Sequence, residues 1–211
     1  MFNLALEYQV CFFTVKFPMD ISKAILGAGR RLIVDIGRDP YEREKVLENG
    51  SKLFLDPSYK PTWHAKIYGK VHASFRGSEV SSGDKLYFHY TCVEMEDAMQ
   101  RIDDDNYLLV PSDMAFFKVD DAGKMTSLNN KVAVLPYIHE PKMLTSLLHS
   151  LEQPRKSEIQ GLILCHPDED MIGKKVFFHS RYAFENLIEG QEVYVMDADA
   201  IDGVLETWID G

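Results

Sequence analysis

One seven-residue block occurs twice in this chain. It reads Gly83-Asp84-Lys85-Leu86-Tyr87-Phe88-His89, and ninety residues later Gly173-Lys174-Lys175-Val176-Phe177-Phe178-His179. Glycine, lysine, an apolar residue, an aromatic, phenylalanine and histidine recur in the same places. A second pair of blocks follows: Tyr107-Leu108-Leu109-Val110-Pro111-Ser112-Asp113-Met114 and Val193-Tyr194-Val195-Met196-Asp197-Ala198-Asp199-Ala200. This pair is offset by eighty-six residues, so the first copy carries an insertion of about four. Self-similarity at this period means two copies of one unit, each large enough for a modest core. The expected division is an N-terminal extension over 1–29, a first unit over 30–120, a linker over 121–130 and a second unit over 131–211.

Each copy reads as short strands. The first unit opens near Arg31-Leu32-Ile33-Val34, where Leu32 and Val34 alternate with Arg31 and Ile33. The second opens at Lys131-Val132-Ala133-Val134-Leu135-Pro136, and Pro136 is expected to end that strand or confine it to an edge. Further strands are expected over 65–71 and 160–165, at the repeated Gly-x-Lys blocks, and at 107–110 and 193–196. Gly83 and Gly173 suit a position that needs an unusual backbone angle before a strand. Ser112-Asp113-Met114 and Asp197-Ala198-Asp199-Ala200 have the form of a turn, or one helical turn, opening on an acidic residue. Last strands are expected over 116–119 and 204–206. Many short strands with glycine-rich turns indicate a compact all-β barrel in each copy. The polar, turn-forming stretch 120–130 reads as a linker.

Charge and cysteine content narrow the function. A net charge of −10 in 211 residues argues against nonspecific nucleic-acid binding, which needs a basic face. Cys11, Cys92 and Cys165 are too far apart for a disulfide framework or a zinc motif, and read as reduced thiols of a cytoplasmic protein. The apolar stretch 2–17 is too short to cross a membrane and is interrupted by Glu7 and Lys16. It also lacks the basic start and the small-residue cleavage site of a secretory signal. Two readings stay open there: a start site ahead of the functional one at Met19, or an added strand covering a sheet edge.

Two long stretches lack strong periodicity. One runs from Gly37 to about Thr62, the other from His139 to about Ser157. Loops of this length are usually functional or disordered. Each holds an apolar cluster: Leu53, Phe54 and Leu55 in the first, Met143 and Leu144 with Leu147 and Leu148 in the second. The first cluster is either a buried strand or a docking motif. The second is either a docking motif or a turn of amphipathic helix, because 144, 147, 148 and 151 share a helical face.

The order of these signals resembles the GroES-type co-chaperonin family, in tandem duplication. The family's Gly-Asp-x-Val-x-Phe block is similar to Gly83-Asp84-Lys85-Leu86-Tyr87-Phe88 and Gly173-Lys174-Lys175-Val176-Phe177-Phe178. Its closing strand and acidic turn resemble Tyr107-Leu108-Leu109-Val110 with Ser112-Asp113-Met114, and Asp199-Ala200-Ile201 with Val204-Leu205-Glu206. The resemblance covers roughly 30–119 and 131–206. It implies two tandem GroES-like β-barrels with long mobile loops, and a homo-oligomer. It also implies a chaperonin partner of the GroEL type, bound through Leu53, Phe54, Leu55, Leu144, Leu147 and Leu148. The segments 75–82 and 166–172 are too short for the family's roof hairpin, so an assembled ring would have an open top.

The resemblance implies no catalytic residue, cofactor or metal. An alternative is an interaction module that keeps the barrel without the chaperonin. A metal-dependent enzyme is the third class, drawing on Cys165-His166-Pro167-Asp168-Glu169-Asp170 with His64, His72, His89 or His179. Those residues lack paired ligand spacing and read as a solvated acidic loop. No phosphate loop, nucleophile elbow or dinucleotide fingerprint is present.

Overall fold

The structure is a computed structural model that describes residues 30–47, 49–56, 64–95, 99–102, 105–139, 154–179, 181 and 183–208. The described chain is all-β. A seven-stranded sheet is built from β1 (Arg31–Gly37), β4 (Tyr68–Ala73), β5 (Lys85–Phe88), β6 (Met99–Ile102), β7 (Asp105–Pro111), β8 (Ala115–Val119) and β9 (Met125–Ser127). A six-stranded sheet is built from β10 (Lys131–His139), β11 (Arg155–Cys165), β12 (Lys175–Phe178), β13 (Phe184–Ile188), β14 (Gln191–Asp197) and β15 (Ile201–Leu205). The strands β2 (Glu44–Val46) and β3 (Lys52–Phe54) pair only with each other. One helical turn, α1 (Thr91–Glu94), follows β5.

The two sheets have the same strand order. The first runs β6-β7-β1-β4-β5-β8, with β9 added outside β8; the second runs β13-β14-β10-β11-β12-β15. The likeness extends to single hydrogen bonds. The amide of Gly83 donates to the carbonyl of Val71, and that of Gly173 to Ile163, both at 2.8 Å. Both glycines have positive φ, +102° and +81°, as the position before a strand required. The amide of His89 donates to Met114, and that of His179 to Ala200. The acidic turns Ser112–Met114 and Ala198–Ala200 are 3₁₀ turns at matching points. Even the register shifts recur, between Ile33 and Val34 on β1 and between Ala133 and Val134 on β10.

A close approach explains one more matched pair. A Cβ built on Gly69 would lie 2.5 Å from the Asp35 carbonyl oxygen, and one on Gly161 would lie 2.5 Å from that of Leu135 and 2.4 Å from Val134 Cγ1. Backbone atoms cannot yield to such a contact. Gly161→Ala is therefore expected to lower unfolding free energy by about 1–3 kcal/mol, the usual cost of overpacking, as read from urea unfolding. A variant as stable as the parent would show that β11 can move away from β10.

Two expectations change, and two others take a definite form. The sheets do not close into barrels: β6 and β9 are open edges of the first, β13 and β15 of the second. Pro136 does not end β10, which continues to His139, but it does stand where the strand is locally an edge: β14 pairs with β10 only from Lys131 to Val134, and past that point β11 is its neighbour. Proline is tolerated where one side of a strand asks for no ladder hydrogen bond. The alternation on β1 holds, with both faces covered: Leu32, Ile33 and Val34 are all buried. Leu32 and Val34 join the main core of the first sheet, while Ile33 packs with Ala73 and Leu109 on the opposite face. Finally, the stretch read as a linker supplies β9, which pairs with β8 through Phe117↔Ser127 and Val119↔Met125.

Three clusters make up most of the core. Leu32, Val34, Ile36, Val71, Leu86, Phe88, Leu108 and Val110 form the inner face of the first sheet. Val132, Val134, Ile163, Val176, Phe178 and Met196 form that of the second. The third cluster joins the sheets. Tyr87, Phe116, Phe117 and Val119 come from the first, and Ala133, Cys165, Ile188, Val193 and Val195 from the second. On β5, β10 and β14 alternation sends one set of side chains inward and the other, Tyr87, Ala133, Val193 and Val195, to this seam.

Candidate functional site

The strongest candidate surface is the β2–β3 hairpin. Its register pairs Glu44 with Phe54, Lys45 with Leu53 and Val46 with Lys52. Successive side chains alternate between faces. Val46 and Phe54 therefore share one face, while Leu47, Leu53 and Leu55 share the other. Both faces are open: Phe54 is 73% exposed, Val46 64% and Leu53 47%. Leu55 is half-buried. A two-stranded ribbon is marginal alone in water, so its own bonds and its attachment hold this one.

Both are visible. The Leu47 amide donates to the Ser51 carbonyl and the Leu55 amide to that of Arg43, each at 2.8 Å. Lys52 Nζ lies 2.7 Å from Glu44 Oε2 across the ribbon. That contact raises the Lys52 pKa, chiefly through the hydrogen bond to Glu44. At the base, Tyr41 bridges to Ala65, and the Glu42 amide donates to the His64 carbonyl at 2.7 Å. Tyr41 packs on the core of the first sheet, and Arg43 pairs with Asp39. The ribbon thus leaves the body from the connection between β1 and β4.

Of the six residues read as a docking motif, Leu53 and Phe54 lie exposed on β3, and Leu55 follows them. Leu144, Leu147 and Leu148 lie outside the described residues. Val46 and Leu47 were not singled out from sequence, yet they complete the two apolar faces. Asn49-Gly50 between two runs of mixed apolar and charged residues is a hairpin signal that could have found them.

A second feature is the polar rim of the seam. Glu189 Oε1 accepts from Lys85 Nζ at 2.8 Å and from the Tyr87 hydroxyl at 2.7 Å. The Glu189 carboxyl is held below its ordinary value, first by the Lys85 hydrogen bond and then by that of Tyr87. For Lys85, burial acts to lower the pKa, but the bonds to Glu189 and Tyr87 outweigh it and the net shift is upward. Burial dominates for Tyr87 and raises it. Glu189 sits at φ +49° in the two-residue turn between β13 and β14. Asparagine, aspartate and glycine are favoured in such a turn, so a glutamate there is set by its contact with the other sheet.

The residues weighed for metal chemistry do not gather. Cys165 is buried in the seam, and burial pushes its thiol up to about 11. His166 Nδ1 accepts the Asp168 amide at 2.9 Å in an exposed turn. Among the described residues no group of three or more His, Cys, Asp or Glu could hold a metal ion. Nor is any helix among them long and apolar enough to cross a membrane. No protein-family model matches the chain, and no curated protein matches it.

Proposed function

We propose that this chain is a co-chaperonin-like protein, which binds a GroEL-type chaperonin through apolar loops to assist protein folding. The observation that carries this reading is the β2–β3 ribbon, with large apolar side chains exposed on both faces. It leaves the first sheet between β1 and β4, where the GroES resemblance puts a mobile loop. The chain joining β10 to β11 stands at the corresponding point of the second copy and carries Leu144, Leu147 and Leu148. The repeated strand order supports treating each sheet as an opened form of one GroES-like unit.

The mechanism is capping, with no covalent step. Burying one leucine or phenylalanine contributes about 1.5–3 kcal/mol. Ordering a loop offsets part of this, so a single ribbon binds weakly and several ribbons bind by avidity. A homo-oligomer in the cytoplasm fits such a role.

Native mass spectrometry of the chain, alone and mixed with a GroEL-type chaperonin and ATP, tests the reading. The expected result is a complex with the chaperonin and a lowered ATPase rate. A chain that neither binds nor changes the ATPase would leave a plain interaction module instead.

A further inference from the structure

His89 stands where the first sheet meets the second. Its amide donates to Met114 and its carbonyl accepts from Cys92, both at 3.0 Å, so the backbone is fixed. The ring lies against Tyr90, with centroids 4.5 Å apart. It meets Phe116 of β8 edge-on at 5.8 Å and Phe184 of β13 edge-on at 5.4 Å. Nδ1 accepts the Thr91 amide at 3.3 Å and lies 2.8 Å from Thr91 Oγ1. An acceptor at Nδ1 requires the neutral ring with its hydrogen on Nε2. A second proton at Nδ1 has to break the contact with the Thr91 amide.

The charges around the ring come from several elements. Lys131 of β10 repels a proton there; its ammonium lies 6.0 Å from the Phe116 ring centre and 2.7 Å from Asp197 Oδ1 of β14. Glu94 of α1 attracts one. From β8 and β13 the ring meets phenyl groups, and Glu185 lies on the opposite face of β13 from Phe184.

We infer that His89 is a proton-sensitive latch on the seam: neutral, it seats Phe184 and Phe116; protonated, it releases β13 and loosens the second sheet from the first. Burial and then Lys131 hold its pKa below the ordinary 6.5, with Glu94 opposing. The sign follows from linkage. A histidine whose folded pKa is depressed contributes stability above 6.5 that is lost as pH falls through the folded pKa.

The test is an NMR titration of the histidine rings in the full chain, with amide exchange of β13 followed over about pH 8 to pH 5, where imidazoles titrate. The expected result is a His89 midpoint below 6.5, with β13 amides losing protection at that same midpoint. Lys131→Gln should move both midpoints upward together. His89→Gln, which keeps a neutral hydrogen-bonding group, should remove the acid step in β13. If that variant fails to fold, the coupled shift in Lys131→Gln decides. An acid step that survives in His89→Gln, or β13 protection that ignores the His89 midpoint in either background, overturns the latch.

Discussion

Phe117→Ala is expected to lower the unfolding free energy by about 3–5 kcal/mol, the range for removing a fully packed phenylalanine. Phe117 is fully buried on β8. It pairs across the ladder with Tyr87 of β5 and with Ser127 of β9. Its ring is 6.4 Å from that of Phe116, and both belong to the cluster with Ile188, Val193 and Val195 of the second sheet. Truncation therefore opens a cavity at the joint between the sheets. Urea unfolding, followed by one probe in each sheet, measures it. Both probes should report the same lowered midpoint. A loss below about 1 kcal/mol, typical of surface positions, would mean that the seam does not hold the sheets together.

Changing Leu53, Phe54 and Leu55 together to serine should do the opposite: little to folding and much to binding. The side chains of Leu53 and Phe54 are exposed, and their ribbon pairs with no strand of either sheet. Stability is expected to change by no more than about 1 kcal/mol, because surface substitutions are nearly neutral. Binding to the proposed chaperonin partner should weaken by at least about a thousandfold. Three apolar side chains at about 1.5–3 kcal/mol each exceed three decades of affinity. Thermal unfolding and binding by calorimetry give the two halves of the result. A triple variant that unfolds would contradict the exposure of this ribbon. A stable variant that still binds would move the docking role to Leu144, Leu147 and Leu148.

The sequence alone determined the repeat and the turns that open its main strands, although β11 and β15 begin earlier, and β4 later, than expected. Those features rest on local chemistry: a glycine at positive φ before β5 and β12, and an acidic 3₁₀ turn before β8 and β15. Apolar residues at strand spacing between them did the rest. Such signals act within a few residues, so they survive in a linear reading. Tertiary structure decided what depends on neighbours far along the chain. Pro136 could stay within β10 because β14 stops pairing at Val134, so only β11 pairs beside it. Ile33, on the face opposite Leu32 and Val34, is buried because that face holds a cluster of its own. The segment 125–127 became a strand because β8 offered it an edge. Leu53 and Phe54 could equally have been core from their composition. They are exposed because β3 found only β2 to pair with. Hydrophobicity tells a residue that burial is favourable, but only the packing of distant strands determines whether anything is there to bury it.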